Sequence, residues 1–175
     1  MDNAGKKIAQ FITEKIDNPF NQTFIIIVGP GNNGSDGIIC HFYLLKYGIT
    51  SKLLLCENKI KENKILNIYK IDINTINTYS SKYEFNKNYW YIDAMFGYNL
   101  NRPIKGVYKK IIDKVISIDI PSGIDCNTGR AYFDSVKSNF TLSLGYFKLG
   151  YFFNDGLNNI NNIKKIDIGF PEYKK

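Results

Sequence analysis

Three aspartates stand where short apolar runs give way to glycine-bearing turns. They are Asp36 in Gly29-Pro-Gly-Asn-Asn-Gly-Ser-Asp-Gly37, Asp93 in Asp93-Ala-Met-Phe-Gly97, and Asp119 in Asp119-Ile-Pro-Ser-Gly-Ile-Asp125. Asn32 and Asn33 put two amides beside the first acid, and Arg102-Pro103 closes the loop after the second. A positioned carboxyl can move a proton on and off oxygen. Carboxylate, amide and hydroxyl oxygens together suit a site for hydroxyls, amides or a hard cation. A bare phosphate cradle needs only backbone N–H groups at a helix start and gains nothing from an acid there. Any one of these aspartates could be a turn or helix cap. Three of them within glycine-bearing loops make that account much weaker.

The first turn also fits G-x-G-x-x-G through Gly29, Gly31 and Gly34, with Glu57 about twenty residues on, where a ribose-binding acid is expected. That spacing alone allows a dinucleotide site, so both readings stay open at the level of the turn.

The elements that must position these residues follow from hydrophobic period. Phe24 to Val28 is apolar on both faces and predicts a buried strand. The glycine turn, Gly29 to Gly37, leads to a helix with Ile38, Ile39, Phe42 and Leu45 at three- and four-residue spacing. Strand, glycine turn and helix make the first unit of a parallel α/β sheet, whose ligands sit outside the carboxyl ends of the strands. A helix is expected over Asp2 to Ile16, ended by Asp17-Asn-Pro19. Further strands are expected over Ser51–Cys56, weakly over Ile71–Tyr79, and over Tyr89–Ile92, Val115–Ile118, Thr141–Leu144 and Ile163–Ile168. Helices are expected over Asn58–Tyr69 and Val107–Lys114, and a polar loop over Ser80–Asn88. The three acids then share one rim of the sheet.

At 175 residues the chain has the length of a single domain, 1–175, with a hydrophobic content of 44% and a charged content of 22%. No apolar run approaches the roughly 20 residues that cross a bilayer, and no leader opens the chain. Membrane association is not expected, and a cytoplasmic or organellar location stays open. The net charge of +7 comes from scattered lysines with only Arg102 and Arg130 as arginines, a solvated basic surface rather than a nucleic-acid footprint. Cys40, Cys56 and Cys126 have neither disulfide nor zinc spacing. His41 is the only histidine and is expected to be structural, which excludes most serine and cysteine triads.

In order and spacing the three motifs closely resemble the NAD(P)H-hydrate epimerase family, the YjeF N-terminal domain. Met1-Asp-Asn-Ala-Gly5 is similar to that family's helix start and Phe147-Lys148-Leu-Gly150 to its late Pro-Lys-x-Gly element. The resemblance implies a Rossmann-like three-layer αβα sandwich with a mostly parallel central sheet. It implies epimerisation of hydrated NADH and NADPH, so that a separate dehydratase can restore the cofactor. By motif, Asn32, Asn33, Gly34, Ser35 and Asp36 would line the substrate with Gly97, Tyr98, Asn99, Leu100, Asn101, Arg102 and Pro103, and Asp119 would also contact it. Asn33, Asp93 and Ser122 would hold a potassium ion, one per subunit. A homodimer is the implied assembly, and the family's usual segment ahead of Met1, which helps cover the domain and its dimer face, is expected to be truncated. Ser35 stands where a glycine is commoner, Tyr98-Asn99 where the family has Thr-Gly, and Phe147 where it has proline.

For the implied reaction Asp119 is the expected acid/base, with Lys148 orienting or protonating the leaving hydroxyl. Asp125 is expected to shape its turn. Two competing classes remain: a non-catalytic scaffold of the same fold, like the domain in the enhancer of mRNA decapping proteins, and an NAD(P)-dependent oxidoreductase using Glu57. The scaffold would be expected to lose the motif acids, and all three are present.

Overall fold

The computed structural model describes residues 2–97, 113–132 and 134–169. In chain order the elements are α1 (Asp2–Lys15), β1 (Thr23–Val28), α2 (Asn32–Lys46), β2 (Thr50–Leu55), α3 (Lys64–Ile68) and β3 (Asn77–Thr78). They continue with β4 (Trp90–Ala94), β5 (Val115–Ile118), β6 (Ser138–Leu144), α4 (Gly156–Asn159) and β7 (Ile160–Ile166). The seven strands form one sheet in the order β3-β2-β1-β4-β5-β6-β7, and every neighbouring pair is parallel. The order reverses between β1 and β4, which makes this a doubly wound sheet with its crevice at the carboxyl ends of those two strands. The expected Rossmann-like architecture is present, and the sheet is parallel throughout.

Alternation along the strands decides the two faces. Phe24, Ile26 and Val28 of β1 pack with Ile8 and Ile12 of α1, Ile38 and Leu44 of α2, and Leu66 of α3. Ile25 and Ile27 point the other way, joining Leu54, Tyr91, Met95, Val115 and Val136 under a cover that includes Tyr79, Tyr83 and Phe85. The helix expected over Val107–Lys114 lies outside the described residues except for Asp113 and Lys114, which form a bend.

Several boundaries differ from the expectation for local reasons. The glycine turn ends at Gly31, and α2 begins at Asn32 instead of after Gly37, with Gly31 in extended conformation as its cap. Gly34 and Gly37 are packing residues inside the helix. A Cβ on Gly34 would lie 2.0 Å from the Gly29 carbonyl oxygen, and one on Gly37 would lie 2.5 Å from the Ala94 Cβ. Asn58–Tyr69 is not one helix but a 3-10 turn, Asn58–Glu62, followed by α3. Asn63 breaks it, because its side chain caps the second piece by accepting from the Ile65 N–H at 2.9 Å. The weak strand over Ile71–Tyr79 shrinks to Asn77–Thr78, since Asp72 accepts from the Asn74 N–H at 2.9 Å and starts a 3-10 turn. β4 runs two residues past Ile92, which places Asp93 within the strand.

Gly34→Ala is therefore expected to destabilise the protein by about 1–3 kcal/mol through overpacking against backbone. Urea unfolding would show it as a lowered midpoint, and an unchanged midpoint would mean that α2 can shift away from the turn.

Candidate active site

The crevice between β1 and β4 is where the chemistry-bearing residues converge. Because α2 starts at Asn32, both Asn33 and Asp36 sit in its first turns on the buried side, 7% and 6% exposed, while Asn32 is exposed. Asn33 Nδ2 donates to the Ile118 carbonyl at 3.2 Å, tying the helix start to the end of β5. Its other terminal atom, Oδ1, is buried with no hydrogen-bond partner among the described residues. A Cβ on Gly97 would lie 3.6 Å from Asn33 Cγ and 3.7 Å from Asp119 Oδ2, so Gly97 lies beside both Asn33 and Asp119.

Asp119 follows β5 at φ +69°, in the left-handed region that a non-glycine residue enters only when held there. Its backbone N–H donates to the Leu142 carbonyl at 2.9 Å. Its Oδ1 accepts from the Leu144 N–H at 3.3 Å and from the Lys148 ammonium, with which it forms an ion pair. Lys148 also donates to the Leu144 carbonyl at 3.1 Å. Asp119 and Lys148, assigned separate roles from the sequence, are thus joined through Oδ1, with Oδ2 left on the side of Gly97.

Asp93 is fully buried and pinned from several sides. Its oxygens accept from Ser122 Oγ at 2.6 Å, the Ser122 N–H at 2.8 Å, Ser117 Oγ at 3.0 Å and the Met95 N–H at 3.3 Å. Burial raises its pKa and these donors oppose the rise. Ser122 Oγ accepts in turn from the Phe96 N–H at 3.1 Å, so the turn before Gly97 is clamped to the turn after Asp119.

Asp36 also has an oxygen, Oδ1, that is buried with no hydrogen-bond partner among the described residues. Burial, reinforced by the Asp119 carboxylate, pushes Asp36 from its usual 3.8 up to about 7. A carboxyl that holds its proton more tightly in the folded than in the unfolded chain makes stability fall as pH rises between those two values, and the loss is complete above the higher one. Wild type should therefore lose stability relative to Asp36→Asn from about pH 4 to about pH 7. Urea unfolding across that range measures the difference, and parallel curves would remove the role given to burial.

Other residues fall outside this site. Asp125 Oδ1 accepts from the Thr128 N–H at 2.7 Å and Oδ2 from Tyr132 at 2.6 Å, which holds it down at about 2 and makes it a turn former, as expected. His41 is buried, with Nδ1 2.8 Å from Ser51 Oγ, and burial lowers it to about 4. That is a structural histidine. Burial raises the thiols of Cys40, Cys56 and Cys126, Cys56 to about 12, so none is set up as a thiolate. Glu57 is exposed after β2. Tyr98, Asn99, Leu100, Asn101, Arg102 and Pro103 lie outside the described residues.

Two residues went unnoticed in the sequence. Ser117 is the register partner of Asp93 across β4 and β5, and a serine two residues before a strand-end aspartate was the available signal. Tyr151 donates from its hydroxyl to the Asp119 carbonyl and lies three residues after Lys148.

A potassium ion at this rim can be tested against the donors present. Asn33 offers a buried amide oxygen without a partner, and Asp93 is a buried carboxylate that no lysine or arginine among the described residues pairs. Ser122 adds a hydroxyl that joins Asp93 to the Phe96 turn. An all-oxygen set with one negative charge fits a hard monovalent cation.

Carboxylate, amide and ammonium groups thus gather at the switch point of a doubly wound parallel sheet, the place where α/β proteins of this class hold small molecules. The chain belongs to the family described as YjeF-related protein N-terminus, whose match spans residues 1–150. It is 31% identical to the NAD(P)H-hydrate epimerase of Entamoeba histolytica, over 86% of this chain and 70% of that one. It is also 31% identical to the bifunctional NAD(P)H-hydrate repair enzyme Nnr of Thermofilum pendens, over 86% of this chain. There it spans only 32% of the relative's length. A crystal structure of the yeast protein YNL200c shares the fold, with a TM-score of 0.66 over 94% of this chain and 76% of that one at 20% identity. Among the described residues no helix is long and apolar enough to cross a membrane.

Proposed function

We propose that the chain interconverts the R and S epimers of hydrated NADH and NADPH, a step in the repair of damaged nicotinamide cofactors. The observation that carries this reading is Asp119, held against Lys148 by Oδ1 with Oδ2 on the side of Gly97, which also lies beside Asn33. Relatives named as epimerases, about 30% identical over most of the chain, support it.

The hydrated ring carbon is a hemiaminal, bearing nitrogen and a hydroxyl. Inversion there requires either loss and return of the hydroxyl through an iminium, or ring opening to an aldehyde and closure on the other face. Both routes move a proton on and off oxygen. In this reading Asp119 exchanges that proton through Oδ2, and Lys148 fixes the carboxylate or protonates the departing hydroxyl. Asn32, Asn33, Gly34, Ser35 and Asp36 contact the substrate together with residues 97–103. Asn33, Asp93 and Ser122 hold a potassium ion, which supplies fixed positive charge to the buried carboxylate. A dehydratase that consumes the repaired epimer is the expected functional partner, in keeping with bifunctional relatives of about three times this length.

The test is to incubate the protein with hydrated NADH of known epimer ratio and follow that ratio by chromatography, in potassium and in choline salts. Relaxation toward equilibrium, faster in potassium, is expected. A ratio that drifts no faster than in buffer would sink the reading.

A further inference from the structure

Asp119 is the residue whose geometry most needs support, because its backbone is left-handed and its side chain must face the rim. Two of its handles are held by neighbouring strand backbone: the N–H by the Leu142 carbonyl and Oδ1 by the Leu144 N–H. The remaining backbone handle, its carbonyl oxygen, accepts from the hydroxyl of Tyr151. Tyr151 is 2% exposed, and its hydroxyl also lies 2.9 Å from Ser143 Oγ, which donates to the Tyr146 carbonyl at 2.6 Å.

The chain delivers Tyr151 and Lys148 to Asp119 as one unit. Leu149–Phe152 is a 3-10 turn capped by Lys148, and the Tyr151 N–H donates to the Lys148 carbonyl at 3.2 Å. Side chains three apart in such a turn lie on the same side, so the ammonium and the phenol reach the same residue. The turn packs closely on the chain at Asp125 and Cys126: a Cβ on Gly150 would lie 2.3 Å from the Asp125 carbonyl oxygen, and the Gly150 N–H donates to the Cys126 carbonyl at 2.7 Å. Burial raises the phenol's pKa, which keeps it a donor.

We propose that Tyr151 is a positioning residue: its hydroxyl locks the left-handed backbone at Asp119 so that the carboxylate stays aligned with Lys148 and the crevice. The inference rests on the epimerase reading for its catalytic consequence only. A misplacement of about 1 Å can cost about a hundredfold in rate. Tyr151→Phe keeps the ring and removes the hydroxyl, with its bond to the Asp119 carbonyl and its contact with Ser143 Oγ, so kcat should fall by about tenfold to a hundredfold while KM stays within about twofold. Amide hydrogen exchange on the same variant should quicken at Asp119, Ile120 and Ser122 and stay unchanged in β1 and β4. Wild-type kcat in the variant would overturn the inference. If wild type itself fails to epimerise, the epimerase reading falls alone, and exchange decides: faster exchange confined to the turn supports the lock, and unchanged exchange overturns it.

Discussion

Asp119→Asn is expected to lower epimerisation by about two to four orders of magnitude, the range attributed to a positioned acid/base, with the fold intact. The asparagine keeps the shape and can still accept from the Leu144 N–H, and the backbone bonds to Leu142 and Tyr151 do not involve the side chain. What disappears is the ability to take and return a proton, together with the negative charge facing the Lys148 ammonium. Lys148 retains the Leu144 carbonyl and Ser143 Oγ as acceptors, so its loss of partner is not a loss of every bond. The measurement is initial rate from hydrated NADH alongside thermal unfolding. Near-normal turnover with an unchanged unfolding midpoint would remove Asp119 from the chemistry and shift attention to Asp36, whose raised pKa also suits proton transfer.

How much of this was legible in the sequence depends on which forces act locally. β1 and β5 announce themselves because a strand buried on both faces must be apolar throughout, and Phe24–Val28 and Val115–Ile118 are nearly so. The start of α2 was misplaced because glycine signals both turns and close packing. Only the fold shows that Gly34 and Gly37 face backbone and Ala94 rather than a bend. Asp93 and Asp119 were legible as strand-end acids, whereas Asp36 lies in the second turn of α2, and the three differ in kind once placed. Asp119 is paired with a lysine, Asp93 is enclosed by serine and backbone donors, and Asp36 has an oxygen with no partner among the described residues. Those differences come from contacts between residues some 25 to 30 positions apart, such as Asp93 with Ser122 and Asp119 with Lys148, which spacing alone does not reveal. Tyr151 was missed for the same reason: an aromatic in an aromatic-rich run carries no mark of the carbonyl it will reach.

The second large effect concerns Asp93, where stability and the proposed ion meet. Asp93→Ala should destabilise the fold by about 3–5 kcal/mol, since each buried donor left unmade costs about 1–3 kcal/mol and the Ser122 and Met95 N–H groups cannot turn away as the serine hydroxyls can. Asp93→Asn keeps an acceptor and should lose less. The two variants separate packing from charge. Burial raises the Asp93 pKa, so an ionised Asp93 strains the folded state unless positive charge lies near it. A bound potassium ion would relieve that strain and add stability that grows with ion concentration. Wild type should then unfold at a higher urea midpoint in potassium chloride than in choline chloride at equal ionic strength, and the gain should vanish in Asp93→Asn. Equal midpoints for wild type in the two salts would leave the serine and backbone donors as the whole support of Asp93, and the cation would have to be dropped from this rim.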